Sequence, residues 1–360
     1  MLSILPAVLG LASAATAALV PASQYQERAH EDVIKPKVFI ISLFTPEAEI
    51  WHGIPEFDLL AVNITVPGFS AQFPHAHCTA DGEICQLITS MGEINAAITV
   101  SSLLHSPRFD LTTTYFLTAG IAGVSPEVST IGSVHFARYA IQVALQHEFD
   151  PRDLPANFST GYIPIGSSSP SEYPKSIYGT EVFEINANLQ RLAANFARNA
   201  SLNDSAQAVS YRANYISDLY APARKTPSVK ECDVATSDVY YSGRLLGEAF
   251  SNYTSLATNG TGVYCTSAQE DNAVLEALLR GAGSKKVDFN RIMVMRTGSN
   301  FDRPFLGGAA TTNLLWANQG GFEPAVQNIY RAGVRVVEGI LEGWNATFER
   351  GVNASNYIGE

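Results

Sequence analysis

Short runs of consecutive apolar residues alternate along this chain with stretches in which apolar positions recur every three or four residues. The first kind reads as buried strands and the second as the helices that cover them. Residues 37–44 open the series as a strand, and Thr45-Pro-Glu-Ala-Glu-Ile-Trp51 follows with a proline where helices begin. Residues 59–66 and 84–89 predict further strands, and the small and apolar segment 94–104 predicts a buried helix. Residues 115–118 predict a strand that runs into a glycine-containing turn over 119–124, and 131–141 continues in strand character. Helices are expected from Glu181 to about Asn199, from Ser242 to about Thr254 and near Glu323 to Phe348. Residues 150–180, rich in Pro, Ser and Gly, read as a long irregular excursion of the kind that often covers a site. The alternation predicts one α/β domain over residues 36–350, a central mixed β-sheet flanked by helices on both faces.

The ends and the cysteines bear on compartment. Residues 2–20 are apolar and grow richer in small residues, which reads as a signal peptide over 1–18, cleaved near Ala15 to Ala18, ahead of a polar tail at 19–35. A membrane anchor is the competing reading, disfavoured by Pro6 and the small residues. Downstream, no window of about 18 residues is free of charged or strongly polar groups, so no helical transmembrane span is expected in the mature chain. Eight Asn-x-Ser/Thr sequons, at Asn63, Asn157, Asn199, Asn203, Asn252, Asn259, Asn345 and Asn353, agree with export of a glycoprotein to the medium or cell wall. Four cysteines allow three pairings; the short Cys78 to Cys85 segment favours a local bridge and leaves Cys232 for Cys265. His75-Ala-His77 reads as loop polarity and no zinc-like spacing occurs, so neither metal nor cofactor is expected. A net charge of -11 without any lysine or arginine run disfavours a nucleic-acid partner.

Candidate chemistry gathers in two segments. Gln269-Glu270-Asp271-Asn272-Ala273 opens a helix, which puts Glu270 near its N-terminus as an acceptor suited to paired sugar hydroxyls, unless it only caps the helix. Arg296 to Asp302 follows the apolar run Ile292-Met-Val-Met295, so Asn300 and Asp302 are expected where a strand hands over to a loop, facing a ligand or merely building a turn.

Taken in order, Ile40 to Glu47, Ser90-Met-Gly-Glu-Ile-Asn-Ala-Ala97, Leu117-Thr-Ala-Gly-Ile-Ala-Gly123, Gln269-Glu270 and Arg296 to Asn300 resemble the nucleoside phosphorylase and nucleosidase superfamily. Over almost the whole mature chain, including Gly179 to Asn186, Cys232 to Asp238 and Gln269 to Asn272, the sequence more closely resembles the fungal purine nucleoside permeases. The resemblance implies a nucleoside phosphorylase-like fold and a cleft holding a purine nucleoside, with Glu270 on the ribose, helped by Gln269. Asn300 falls on the base-binding position near N7, and Asp302 serves there if the loop is shifted. Tyr240 and Tyr241 stand where the superfamily stacks an aromatic on the base, with Asp238 orienting that segment.

The attacking group separates the superfamily's branches. Within the superfamily that the chain resembles, the phosphorolytic hexameric enzymes carry arginine and serine where this chain has Leu117 and Gly120, and the first-strand turn is Phe44-Thr-Pro-Glu47 in place of a phosphate-cradling Gly-Asp-Pro. Glu47 aligns with the water-activating glutamate of the methylthioadenosine nucleosidases, Glu49 being the nearby alternative. The expectation is a secreted purine nucleosidase. The alternatives are a nucleoside-binding or transport component and a phosphorylase using Arg138 or Arg303. The superfamily's habit of dimers or trimers leaves a homo-oligomer open, although glycans would block such faces.

Overall fold

A computed structural model describes residues 33–360. The leader expected at 1–18, and the polar tail at 19–35 apart from its last three residues, lie outside them. The chain from Val33 to Glu360 is one compact unit.

Strand β1 (Val38–Ser42) is buried at every position, and its alternate residues feed different cores. Phe39 and Ile41 pack into a cluster with helices α2 (Glu93–His105) and α6 (Asp271–Gly283), while Val38 and Ile40 pack into one with α3 (Ala187–Ala197) and α8 (Phe322–Glu342). A strand covered on both faces has no polar side to show, which is why the pattern there is a continuous apolar run. The main sheet has twelve strands and is mixed. One continuous path joins β10 (Val182–Glu184), β7 (Tyr139–Gln142), β12 (Asp233–Thr236), β13 (Tyr264–Ala268), β5 (Tyr115–Val124), β1, β4 (Ile84–Ile88), β3 (His75–Cys78) and β2 (Val62–Thr65). Strand β14 (Ile292–Phe301) pairs with β5 and with β6 (Val134–Ala137), which in turn holds β11 (Val229–Glu231).

Several elements depart from the pattern reading. Residues 119–124 form no turn: β5 continues to Val124, with Gly120 and Gly123 accepted because neighbouring side chains crowd the strand there. Strand β14 likewise runs on to Phe301, so Asn300 lies within it and Asp302 just beyond. Segment 59–66 is a turn of 3-10 helix, Leu59–Ala61, followed by β2. The helix expected from Glu181 starts only at Ala187, where Asn186 accepts from the N–H groups of Asn188 and Leu189; the preceding residues form β10. The last helix breaks at Gly343 before a single π turn, Trp344–Phe348. Helix α2 is buried on one face only, since Ile94 and Ile98 are exposed. His75-Ala-His77 is not a loop but the body of β3.

Disulfides join Cys78 to Cys85 and Cys232 to Cys265. Seven of the eight sequon asparagines are exposed, and Asn203 is half-buried with its backbone N–H held by Asn328.

Candidate active site

The site originates in a gap between two neighbours of one strand. Along β5, residues Tyr115 to Thr118 pair with β1 on one side, and only at Gly123 and Val124 does β13 take over. Strand β14 covers the other side throughout. Between Thr118 and Gly123 the free side of β5 faces a crevice, the place where α/β sheets bind ligands. Its backbone groups still need partners. Ile121 N–H donates to Glu47 Oε1 at 2.7 Å, and Ile121 C=O accepts from Arg296 Nη1 at 3.1 Å. Two side chains thus replace a missing strand.

Glu47 reaches this gap because Pro46 starts a single helical turn, α1 (Thr45–Glu49), at the carboxyl end of β1. Its second oxygen accepts from Leu43 N–H at 2.9 Å. Burial pushes the Glu47 carboxyl up to about 8, against the opposing pull of the Arg296 guanidinium and its two backbone donors, with Glu270 adding to the rise. Glu49 is exposed and does not line the cavity.

Glu270 sits at the N-cap position of α6 without capping it: its side chain makes no bond to that helix. One carboxylate oxygen accepts from Gly92 N–H at 3.1 Å and the other from Arg296 Nη2 at 3.2 Å. Arg296 is 2 % exposed and also grips Asp271 through Nε and Nη2. Burial opposes its charge, but Asp271, Glu270 and Glu47 outweigh that and hold the guanidinium firmly protonated. Sequence reasoning assigns no role to Arg296 or Asp271; the available signal is an arginine at the end of an apolar strand facing an acidic pair.

The opposite end of the cavity is shaped by a bulge in β14 between Gly298 and Asn300, which inserts Ser299 and turns the next side chain outward. Ser299 Oγ donates to the side-chain oxygen Oδ1 of Asn300 at 2.7 Å, and the Asn300 amide nitrogen, one of whose hydrogens goes to the Phe301 carbonyl at 3.4 Å, keeps its other hydrogen as a donor beside the cavity. Asp302 lines the same cavity but is 3 % exposed and already occupied. Arg303 donates to both its oxygens, at 2.8 and 2.9 Å, and Tyr264 O–H donates to one of them at 2.5 Å.

Tyr240, Tyr241, Gln269 and Phe44 all line this space of about 300 Å³ together with Glu47, Glu270 and Asn300. Tyr240 is 70 % exposed at the mouth, its hydroxyl 3.3 Å from Gln269 Oε1, whereas Tyr241 packs its ring against Phe250 at 4.7 Å. Met91, Val239, Leu314 and Phe322, none of them singled out from the sequence, add an exposed apolar rim. Gly120 and Asp238, both considered from the sequence, do not line the cavity. Gly120 acts by lacking a side chain, since a Cβ there would lie 2.5 Å from Arg296 Nη1 and 2.7 Å from Glu47 Oε1. Asp238 is turned to the start of α2, where it accepts from Glu93 N–H at 3.0 Å and from Gln269 at 3.3 Å. The 150–180 excursion contributes nothing to the cavity; it packs near α5 (Arg244–Ala257).

Neither arginine considered for phosphate is available. Arg138 is paired with Glu184, and Arg303 with Asp302 and Glu127. Among the described residues, His135, Cys232 and Cys265 bring potential metal ligands within 4.8 Å of one another, but the sulfurs are bonded to each other and both ring nitrogens of His135 are engaged.

The fold defines the class. A 5'-methylthioadenosine/S-adenosylhomocysteine nucleosidase from Helicobacter pylori, a mutant solved with 5'-methylthioadenosine in its active site, superposes with a TM-score of 0.50 at 15% identity, over 84% of this chain and 98% of that one. The architecture is therefore nucleoside phosphorylase-like. The purine nucleoside permease model matches residues 35–353, and the chain belongs to that family. A purine nucleoside permease from Candida albicans is 40% identical over 91% of this chain and 81% of its own length. A probable purine nucleoside permease from Schizosaccharomyces pombe is 40% identical over 87% of this chain and 91% of its own.

Proposed function

We propose that this chain is an exported purine ribonucleoside hydrolase that cleaves the N-glycosidic bond to free base and ribose. The reading rests on one observation above others: the cavity gathers two glutamates, Glu47 and Glu270, around an arginine each of whose nitrogens is already bonded within the protein and whose charge is already paired. A dianionic phosphate nucleophile would meet carboxylates and no unpaired guanidinium, whereas water meets a base. In the proposed reaction Glu270 accepts from the ribose hydroxyls with the lone pairs that Gly92 and Arg296 leave open. Glu47, once ionised, takes a proton from water as it adds to the sugar carbon of an oxocarbenium-like transition state. The bonding electrons pass to the departing purine, and the Asn300 amide donates to its ring nitrogen as charge builds there. Tyr240 covers the base, and Tyr241 forms the wall behind it. Asp302 fits better as the group that holds Arg303 and Tyr264 than as the base contact. The two disulfides suit the oxidising compartment that export implies.

A second reading, a nucleoside-binding or transport component, is favoured by the names of the two fungal relatives. No helix among the described residues is long and apolar enough to cross a membrane.

The two separate in one assay. Purified protein is incubated with adenosine, guanosine, inosine and uridine, with and without phosphate, and free base, ribose and ribose-1-phosphate are measured. Phosphate-independent release of base and ribose from the purine nucleosides is expected. Release that requires phosphate would overturn hydrolysis, and saturable binding without release would establish the binding component.

A further inference from the structure

Three of the seven histidines in the chain meet on the sheet edge, away from the crevice on β5. His75 and His77, two apart on β3, project from the same face of the sheet, and His52 arrives from the turn after α1. The ring of His77 lies 5.9 Å from that of His52 and 6.3 Å from that of His75, centroid to centroid. All three side chains are half-buried.

What distinguishes this group from loose surface histidines is that each ring is held by one nitrogen. In the β2–β3–β4 register, Asn63 and Gln86 lie across from His77, and Thr65 lies across from His75. His77 Nδ1 bonds Asn63 Oδ1 at 2.6 Å, His75 Nδ1 bonds Thr65 Oγ1 at 3.0 Å, and His52 Nε2 bonds Gln86 Oε1 at 3.1 Å. The amide nitrogen of Gln86 is committed to Ser42 Oγ and the carbonyl of Ala48, so its oxygen is what faces His52. An amide oxygen only accepts, so His52 carries its proton on Nε2 and His77 carries its own on Nδ1. The other nitrogen of each ring is then an unprotonated lone pair, the form and the supporting bond that histidine ligands take. The Cys78–Cys85 disulfide clamps β3 to β4 beside them.

We propose that His52 through Nδ1, and His75 and His77 through Nε2, bind one zinc-type divalent transition-metal ion, with water completing the shell. Ligand bonds of about 2.0–2.1 Å require ring centroids roughly 5–5.5 Å apart, so the rings, now 5.9 and 6.3 Å from His77, turn inward about their side-chain bonds as the ion binds. The ion ties the end of α1, the turn that carries Glu47, to the β2–β3 edge.

The test uses secreted protein purified without a polyhistidine tag, stripped with EDTA and titrated calorimetrically with zinc sulfate. One ion per chain is expected, with a higher melting temperature for the loaded protein. His52→Ala and His77→Ala each weaken binding at least about 100-fold, and Asn63→Leu weakens it about 10–100-fold through loss of the supporting bond. Asn63→Asp keeps the acceptor oxygen while removing the sequon, so retained affinity in that variant shows that no glycan is involved. His105→Ala and His147→Ala, exposed histidines elsewhere, leave binding unchanged. Cobalt(II) bound to the unmutated protein gives the visible bands of a four-coordinate nitrogen site, independently of whether any variant folds. No stoichiometric uptake, a featureless cobalt spectrum, or binding that survives both His52→Ala and His77→Ala would overturn the site.

Discussion

Glu47 is held by two backbone donors that favour its charge and by burial that opposes it, and burial wins, with the carboxyl pushed up to about 8. A base works only when ionised, so kcat/KM for a purine nucleoside is expected to rise close to tenfold per pH unit below pH 8 and to level off above it. The same shift acts on stability with the opposite sign. The folded state prefers the protonated acid, so Glu47 costs nothing below its ordinary carboxyl range. It costs about 1.4 kcal/mol more per unit as pH rises from there to about 8. Glu47→Gln should therefore cut turnover roughly 10²–10⁴-fold with KM little changed. Its melting temperature should gain on the unmutated protein between pH 5 and pH 8, and a parallel pair of melting curves would remove Glu47 from this role. Asn300 and Asp302 are two residues apart and should respond differently. Asn300→Ala lowers turnover while leaving the unfolding free energy within about 0.5 kcal/mol of the original, because the Asn300 side chain is exposed. Asp302→Ala leaves Arg303 buried with only Glu127 as a partner and is expected to cost about 3–5 kcal/mol, read by urea denaturation.

At the scale of elements, the site depends on two neighbouring strands that behave unusually at the same level. Strand β5 changes partner between Thr118 and Gly123, and β14 carries its bulge between Gly298 and Asn300, opposite Ala122 and Gly123. The first exposes Ile121 to Glu47 and Arg296; the second turns Asn300 into the same cavity. Gly120 is the point where these meet, because its missing side chain leaves room for the Arg296 guanidinium beside the Glu47 carboxyl. Gly120→Ala puts a methyl group where those atoms are and should reduce kcat/KM by at least about 10²-fold with a stability loss of about 1–3 kcal/mol. Equal activity in that variant would show that the arginine and the glutamate are not needed in this arrangement. None of this was legible in the pattern of residues 115–124, where two glycines read as a turn. Glycine signals a turn or a close approach equally well, and only the identity of the neighbour distinguishes them.

For the whole molecule, Cys232–Cys265 ties the start of β12 to β13, the strand that takes over from β1 along β5. Replacing both cysteines by alanine should lower unfolding free energy by about 2–4 kcal/mol, read by urea titration, with activity lost in the same transition. Composition and apolar periodicity by themselves determined the class of the molecule: alternating strands and helices, a sheet buried on both faces, an acidic surface and paired cysteines. The segments around Glu47, Glu270 and Asn300 were also legible, since polar residues at strand and helix ends are conspicuous against apolar runs. Tertiary structure alone decided what those residues touch. It set Glu270 on Gly92 and Arg296 and not on its own helix, committed Asp302 to Arg303, and left Asp238 to the start of α2. It also aligned His75 and His77 on one strand facing His52. Periodicity records which side of an element is buried, because burial acts on each residue separately. Which two polar groups meet is fixed by the pairing of segments tens to hundreds of residues apart, and no local pattern encodes that.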